Sequence, residues 1–433
     1  MRRLVALCCA FLISVAPSAW ATPPALGAAE VDQVIDQLGS EIEKLYVFPE
    51  KRAEILKVLR TKQEEGAFAG LTPMEFMQRL NDALLTASND KHLNVVFDPV
   101  RSTALEESPD PVDGRSMDAQ GLRHNQGYVR QEILPGNIRY VRIQLFYWNE
   151  TLTAPVIDAA AQFLSGGSAV IIDLRGNGGG HVDAVQRLIS YLMPAKSVPL
   201  MTFYDGRSGE STTTRSTARL PADRITDRPV YVLVDRGSFS AAEEFAYHIQ
   251  QFKLGTLVGE TTRGGANNNL FVALPAGFVA SISYGRVTHP VSKTNWEGVG
   301  ITPDIEVPGP AALDAALIRA METLALSPDP QIKAEMAWEL PLIRARQSPV
   351  RMNVTDLRAL AGTYGERQVR IDGERLISQR SGMPPLELAP IGNDLFAVVG
   401  IDDVRIAFVR DPAGPLVMEV RYRDGRKVVA ARE

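Results

Sequence analysis

Two short apolar runs, Ser168-Ala-Val-Ile-Ile-Asp-Leu174 and Pro229-Val-Tyr-Val-Leu-Val234, constrain this chain most. Each leads through a turn rich in glycine or serine into a stretch of helical period. Strands so uniformly apolar must be covered on both faces, which predicts inner strands of a mainly parallel sheet. Ile138–Ile143 supplies a further strand, and Pro155–Leu164, Val182–Leu192 and Ala241–Phe252 supply helices between them. Leu257-Val258, Phe271–Leu274 and Phe278–Tyr284 are expected to complete the same sheet. The alternation predicts an α/β core over residues 125–310.

The flanks read differently. Val31, Val34, Ile35, Leu38, Ile42 and Leu45 recur at spacings of three and four, and Thr72-Pro73-Met74-Glu75 is a capped helix start. A helical domain is therefore expected over 22–98, followed by a polar, turn-rich linker over 99–124. Residues 311–350 return to helical period through Leu313, Ala316, Leu317 and Ala320. From 351 to 433 short alternating strands are separated by turns at Asp372-Gly373, Gly392-Asn393-Asp394, Pro412-Ala413-Gly414 and Asp424-Gly425, predicting a small antiparallel β module.

The start is a different kind of signal. Arg2-Arg3, the apolar run Leu4–Val15 and Ala19-Trp20-Ala21 have the form of a signal peptide over 1–21, cleaved before Thr22. The expected product is exported, periplasmic or secreted, with no integral membrane segment. Both cysteines, Cys8 and Cys9, leave with that segment, which excludes thiol nucleophiles and cysteine-held metals. The net charge of −5, without a basic block, disfavours a nucleic-acid partner.

Two turns can carry chemistry. In Asp173-Leu-Arg-Gly-Asn-Gly-Gly-Gly180, between strand and helix, consecutive glycines let backbone amides face a ligand, as for a phosphate or an oxyanion. No Lys-Ser/Thr follows, so it is not a phosphate-binding P-loop. In Asp235-Arg-Gly-Ser-Phe-Ser-Ala-Ala-Glu243, Ser240 stands at the start of the next helix, as a nucleophile or as an ordinary N-cap. Ser238 is the better pure cap. A base must come from His92, His124, His181, His248 or His289. His248 follows on the same helix with Glu244 between, but eight helical residues span about 12 Å, too far for contact. It is expected on the helix surface or partly buried. Spread histidines without paired carboxylates predict no metal site, and no cofactor is expected.

Asp173–Gly180, Ser240-Ala-Ala-Glu243, Gly259-Glu-Thr-Thr-Arg-Gly-Gly265 and Asn295-Trp-Glu-Gly-Val-Gly-Ile-Thr-Pro-Asp304 occur in the order seen in tail-specific, or C-terminal-processing, proteases. The chain resembles their branch related to interphotoreceptor retinoid-binding protein and the tricorn core protease, over about residues 30–310. The resemblance implies a crotonase-like core and serine hydrolysis of peptide bonds. Ser240 matches the nucleophile. The Ser–Lys members place a lysine after Gly-Glu-x-Thr, but no lysine lies between Lys253 and Lys293. The resemblance therefore implies the Ser–His–Glu version, with His92 as base and Glu297 as carboxylate. It places the oxyanion on backbone amides of Gly178, Gly179 and Ala241, and leaves Glu243 a structural role. Residues 99–135 are too short for the PDZ domain of other members. The expected substrates are unfolded or short peptides, oligomerisation is open, and the alternatives are an esterase or a non-catalytic binder of apolar ligands or peptides.

Overall fold

In the computed structural model, which describes residues 24–107, 114–410 and 414–433, the apolar positions Val31, Val34, Ile35, Leu38 and Ile42 form the buried face of helix α1 (Ala28–Leu45). The proposed signal peptide and the Pro412-Ala413 part of one expected turn lie outside the described residues. Helix α2 (Pro49–Glu64) follows, then α3 (Pro73–Ser88), whose start is the capping box read from Thr72 and Glu75. Strand β1 (Asn94–Phe97) and helix α4 (Pro99–Glu107) complete this stretch of the first compact unit, which also takes in Leu270–Ile282. Its core joins Leu38, Phe76, Leu80 and Val95 to Phe278 and Ile282.

Residues 99–124 are not an extended linker. Besides α4, helix α5 (Gly114–Arg123) forms there. Asp98 starts α4 by accepting the Arg101 N–H on its side chain at 3.0 Å, a local cap that polarity alone does not reveal.

The second unit holds the expected α/β core. Chain order runs β2 (Tyr128–Leu134), β3 (Ile138–Ile143), α6 (Ala154–Ser165), β4 (Ala169–Asp173), α7 (Val182–Tyr191), β5 (Pro199–Asp205), β6 (Ser211–Arg215) and β7 (Val230–Val234). It continues through α8 (Ala241–Gln251), β8 (Thr256–Gly259), β9 (Asn268–Leu274), β10 (Phe278–Thr288), β11 (Ile305–Glu306), α9 (Ala312–Leu324) and α10 (Pro330–Gln347), with most of β9 and the first half of β10 belonging to the first unit. Six strands form one sheet in the order β11-β8-β7-β4-β3-β2, parallel except for the β2–β3 pair. Every residue of β4 and β7 is buried. One face packs on Ile157, Val185, Leu188 and Phe245 of α6, α7 and α8. The other packs on Ala316, Leu317 and Ala320 of α9 and Met336 and Ile343 of α10. Two covered faces are what the apolar runs demanded.

β9 and β10 do not join that sheet, contrary to the sequence reading. β10 pairs antiparallel with β1 through its first half and with β5 through its second, and β9 also pairs with β10. Apolar content marks a strand as buried but does not choose its partner. After helix α11 (Val354–Ala359), residues Gly362–Ala431 form an eight-stranded antiparallel sheet in sequence order, with a core of its own around Phe396, Phe408 and Met418. Its second hairpin turns at Asp372-Gly373, where glycine takes a positive φ of 62°.

Candidate active site

The two turns singled out by sequence lie side by side at the carboxyl ends of β4 and β7, where open α/β sheets place their sites. Each is held by a buried or half-buried acid. Asp173 accepts hydrogen bonds from Tyr140 Oη at 2.7 Å and from Arg175 Nε and Nη2 at 2.9 and 2.6 Å. Asp235 Oδ1 accepts the N–H groups of Gly176, Gly237 and Ser238 at 2.9–3.1 Å, tying one turn to the other. Asn177, fully buried, reinforces this: its side chain donates to Ile143 O and accepts the Gly179 N–H, and its carbonyl accepts the Phe239 N–H. Ser238 is part of the same knot. Its hydroxyl donates to Leu174 O at 2.8 Å, so it is a cross-turn tie and not the helix cap expected of it.

Ser240 occupies the cap position of α8 but makes no side-chain cap bond. Its backbone has φ 55° and ψ −121°, a region that non-glycine residues avoid. The N–H of Ala241, the first residue of α8, is among the four that an α-helix leaves unpaired. A Cβ on Gly179 would stand 2.7 Å from Ser240 Cβ and 2.9 Å from Phe239 O, and Gly179 has φ +109°. Only glycine fits. Gly179→Ala is expected to destabilise the fold by about 2–3 kcal/mol; a urea midpoint equal to the parent's would remove the argument for this close approach. The Gly179 N–H is already given to Asn177 Oδ1 at 2.9 Å, so the residue contributes proximity where the sequence reading expected an oxyanion donor.

Glu243, one turn into α8, anchors the opposite wall. Oε1 accepts Thr262 Oγ1 at 2.5 Å and Gly264 N–H at 2.6 Å; Oε2 accepts Gly265 N–H at 2.8 Å and Ser240 N–H at 3.0 Å. Burial pushes this carboxyl above its ordinary pKa, and the four hydrogen bonds pull it back.

His92 comes from a different stretch. Asn89, in the left-handed conformation (φ 52°), ends α3, and Asp90–His92 belong to the second unit although the chain on either side belongs to the first. The His92 ring stacks on Phe239, the neighbour of Ser240, with centroids 4.5 Å apart. Gly265 makes room: a Cβ there would lie 2.2 Å from the Phe239 ring and 2.9 Å from His92 Cε1. Asp90 accepts the His92 N–H at 2.9 Å and Asn267 Nδ2 at 3.1 Å.

Glu297 completes the group. One nitrogen of His92 and one oxygen each of Asp90 and Glu297 lie within 4.8 Å of one another. Glu297 Oε2 accepts the N–H groups of Ala266 and Asn267 at 2.5 and 3.0 Å, and Trp296 Nε1 pins the same loop through Gly265 O at 2.9 Å. Burial lowers the His92 pKa to about 4, against the pull of Asp90. Burial first, then the Asp90 charge, raises that of Glu297 to about 7. A histidine and two carboxylates are also a donor set for a divalent ion.

The structure thus brings His92 and Glu297 together and sets His92 against the residue preceding Ser240. His248 is fully buried, not on the surface, with Nε2 3.5 Å from Glu244 and Nδ1 3.2 Å from His289 Nε2. His181 is an N-cap, accepting the Asp183 N–H on Nδ1 at 3.2 Å. Asp90, Asn177, Asp235 and Gly265 carry the scaffold, and sequence reasoning did not single them out. Among the described residues no helix is long and apolar enough to cross a membrane.

Residues 137–307 match the Peptidase family S41 profile. A chloroplastic C-terminal processing peptidase of Tetradesmus obliquus is 29% identical over 39% of this chain and 34% of its own length. The carboxy-terminal processing protease CtpA of Bacillus subtilis (strain 168) is 24% identical over 52% of this chain and 46% of its own. The chain therefore spans a third to a half of the length of these curated relatives. Among solved structures, the tricorn protease aligns with a TM-score of 0.43 at 14% identity, covering 73% of this chain and 37% of that one. The glycine turn, the strained serine and the Glu297 loop all lie inside the segment, residues 137–307, in which this chain is similar to Peptidase family S41.

Proposed function

We propose that the protein is an exported serine peptidase, with a crotonase-like core, that hydrolyses unfolded or short peptides through Ser240, His92 and Glu297. The observation that carries this is Ser240 itself: a hydroxyl on a strained backbone with no side-chain cap bond, at a helix start, against a glycine packed onto its Cβ. His92, neutral at pH 7 because burial disfavours its charged form, takes the Ser240 proton during attack and returns it to the leaving amine. Glu297 steadies the imidazolium that forms, with its second oxygen, Oε1, engaged by no hydrogen bond among the described residues. Amides of Gly178 and Ala241 hold the tetrahedral oxygen, while Gly179 braces the nucleophile.

A fluorophosphonate probe is expected to label the protein once, at Ser240, as read by peptide mass mapping. Absence of label, or label elsewhere with peptide turnover intact, would sink the assignment.

The pH profile supplies a second test. Glu297, raised to about 7, is charged above that pH and neutral below it. Its support for imidazolium is present at pH 8 and lost as pH falls through about 7. kcat/KM is expected to decline on that limb. Glu297→Gln should lower the pH 8 value on the order of 10²-fold and flatten the limb; an unchanged limb in that variant would assign the titration elsewhere.

A further inference from the structure

Beside Ser240 lies a cavity of about 250 Å³ whose wall the hydrolytic reading leaves unexplained. Ser240 and Ala241 border it, and Tyr284 and Trp296 give it an aromatic flank. Its polar lining includes one carboxyl, that of Glu244, and no lysine or arginine. Glu244, only 5% exposed, reaches it from α8, one residue past the anchoring Glu243. Asn267 and Asn268 line it as well, and Oδ1 of each is buried with no hydrogen-bond partner among the described residues. The Asn267 amide orientation is fixed, because Nδ2 donates to Asp90. The basic group nearest Glu244 on its own helix is His248 Nε2 at 3.5 Å, and burial keeps that ring neutral, its pKa lowered to about 3.

A pocket with a buried carboxyl and orphaned amide oxygens is incomplete without donors. We propose that this cavity receives the side chain of the residue whose carbonyl Ser240 attacks, and that it selects lysine or arginine through Glu244. This rests on the serine-peptidase reading above. An ammonium or guanidinium brings three to five N–H donors and a charge to a site that an apolar side chain would leave unsatisfied. Binding ionises Glu244, and the proton leaves to solvent. The groups around that carboxyl are Asp183 and His181 at the start of α7 and His248 on α8, backed by His289. Burial and Asp183 raise the Glu244 pKa to about 8 in the empty pocket. Cation selectivity therefore climbs with pH until about 8 and then levels.

The test uses fluorogenic peptides differing only in the residue before the cleaved bond: lysine, norleucine or glutamine. With the full chain, the lysine-to-norleucine ratio of kcat/KM is expected to exceed about tenfold and to grow from pH 6 to 8. Titration of His92 and Glu297 cancels in that ratio. Glu244→Gln should bring the ratio to about one and flatten it with pH. A ratio at or below one in the parent, or one unchanged by the substitution, overturns the assignment, as does a preference for glutamine over lysine. A variant-free arm follows fluorophosphonate labelling of Ser240: n-butylammonium should slow it and n-butanol should not, and equal effects count against the proposal. If Ser240 labels normally while norleucine is preferred, only the pocket assignment falls. If Ser240 never labels and no peptide is cleaved, the peptidase reading falls and takes the pocket with it.

Discussion

Ser240→Ala should reduce peptide turnover by about 10⁴–10⁶-fold. The substitution deletes one oxygen. It leaves the Gly178 and Ala241 amides, the Gly179 brace and the positive φ in place, because alanine bears the same backbone strain at φ 55°. Substrate binding should survive, so the loss falls on kcat and KM stays near the parent value. The unfolding free energy should move by less than about 1 kcal/mol, since Oγ makes no cap bond to lose. His92→Ala should come close to the same loss, because nucleophile and base act as one unit and their effects do not add. Retention of more than a tenth of the parent turnover in Ser240→Ala would refute hydrolysis through this hydroxyl.

Glu243→Ala is expected to cost about 4–6 kcal/mol in stability, through a different physical route. Four donors converge on its carboxylate: the N–H groups of Ser240, Gly264 and Gly265 and the hydroxyl of Thr262. Each buried donor left without an acceptor costs about 1–3 kcal/mol. Relaxation and entering water recover part of the sum. Glu243→Gln keeps the shape but offers an NH2 group where one oxygen accepted two donors, so an intermediate loss is expected. Urea unfolding of the two variants checks the order, and a loss under about 1 kcal/mol in Glu243→Ala would show that the loop satisfies its amides without it. Activity should fall as well, because the same side chain holds the Ser240 amide and the Gly264-Gly265 turn beneath His92.

The α/β core was legible because its evidence is local. Short apolar runs rich in β-branched residues, such as Val230–Val234, read as inner strands, and the helices between them lie within a residue or two of expectation. Helices α4 and α5 were hidden because their segment is polar and turn-rich, and a single Asp98 cap decides the start of α4. The destination of β9 and β10 was hidden because partner choice depends on contacts between distant segments. The site divides in the same way. Ser240 and the glycine turn are visible as strand–turn–helix punctuation, whereas His92 and Glu297 came only through the family resemblance. Asn177 and Asp235 escaped notice because their work is done by side-chain bonds to backbone across two turns, and a lone Asn or Asp in a loop is common. Ser238 and His248 depart from expectation for one reason: local spacing sets a position on the helix but not what packs against it.

The three-residue excursion Asp90–His92 has a consequence for biogenesis. His92 is synthesised early, Ser240 far later, and Glu297 later still, with Gly264, Gly265 and their loop in between. On the triad reading, a nascent chain that has emerged only to α8 carries a serine and a histidine but neither the carboxylate nor the floor under the ring. Hydrolytic competence then arrives at a single late step of translation or translocation, so the polypeptide is inert toward its neighbours, and toward itself, until Glu297 has cleared the machinery that makes or moves it.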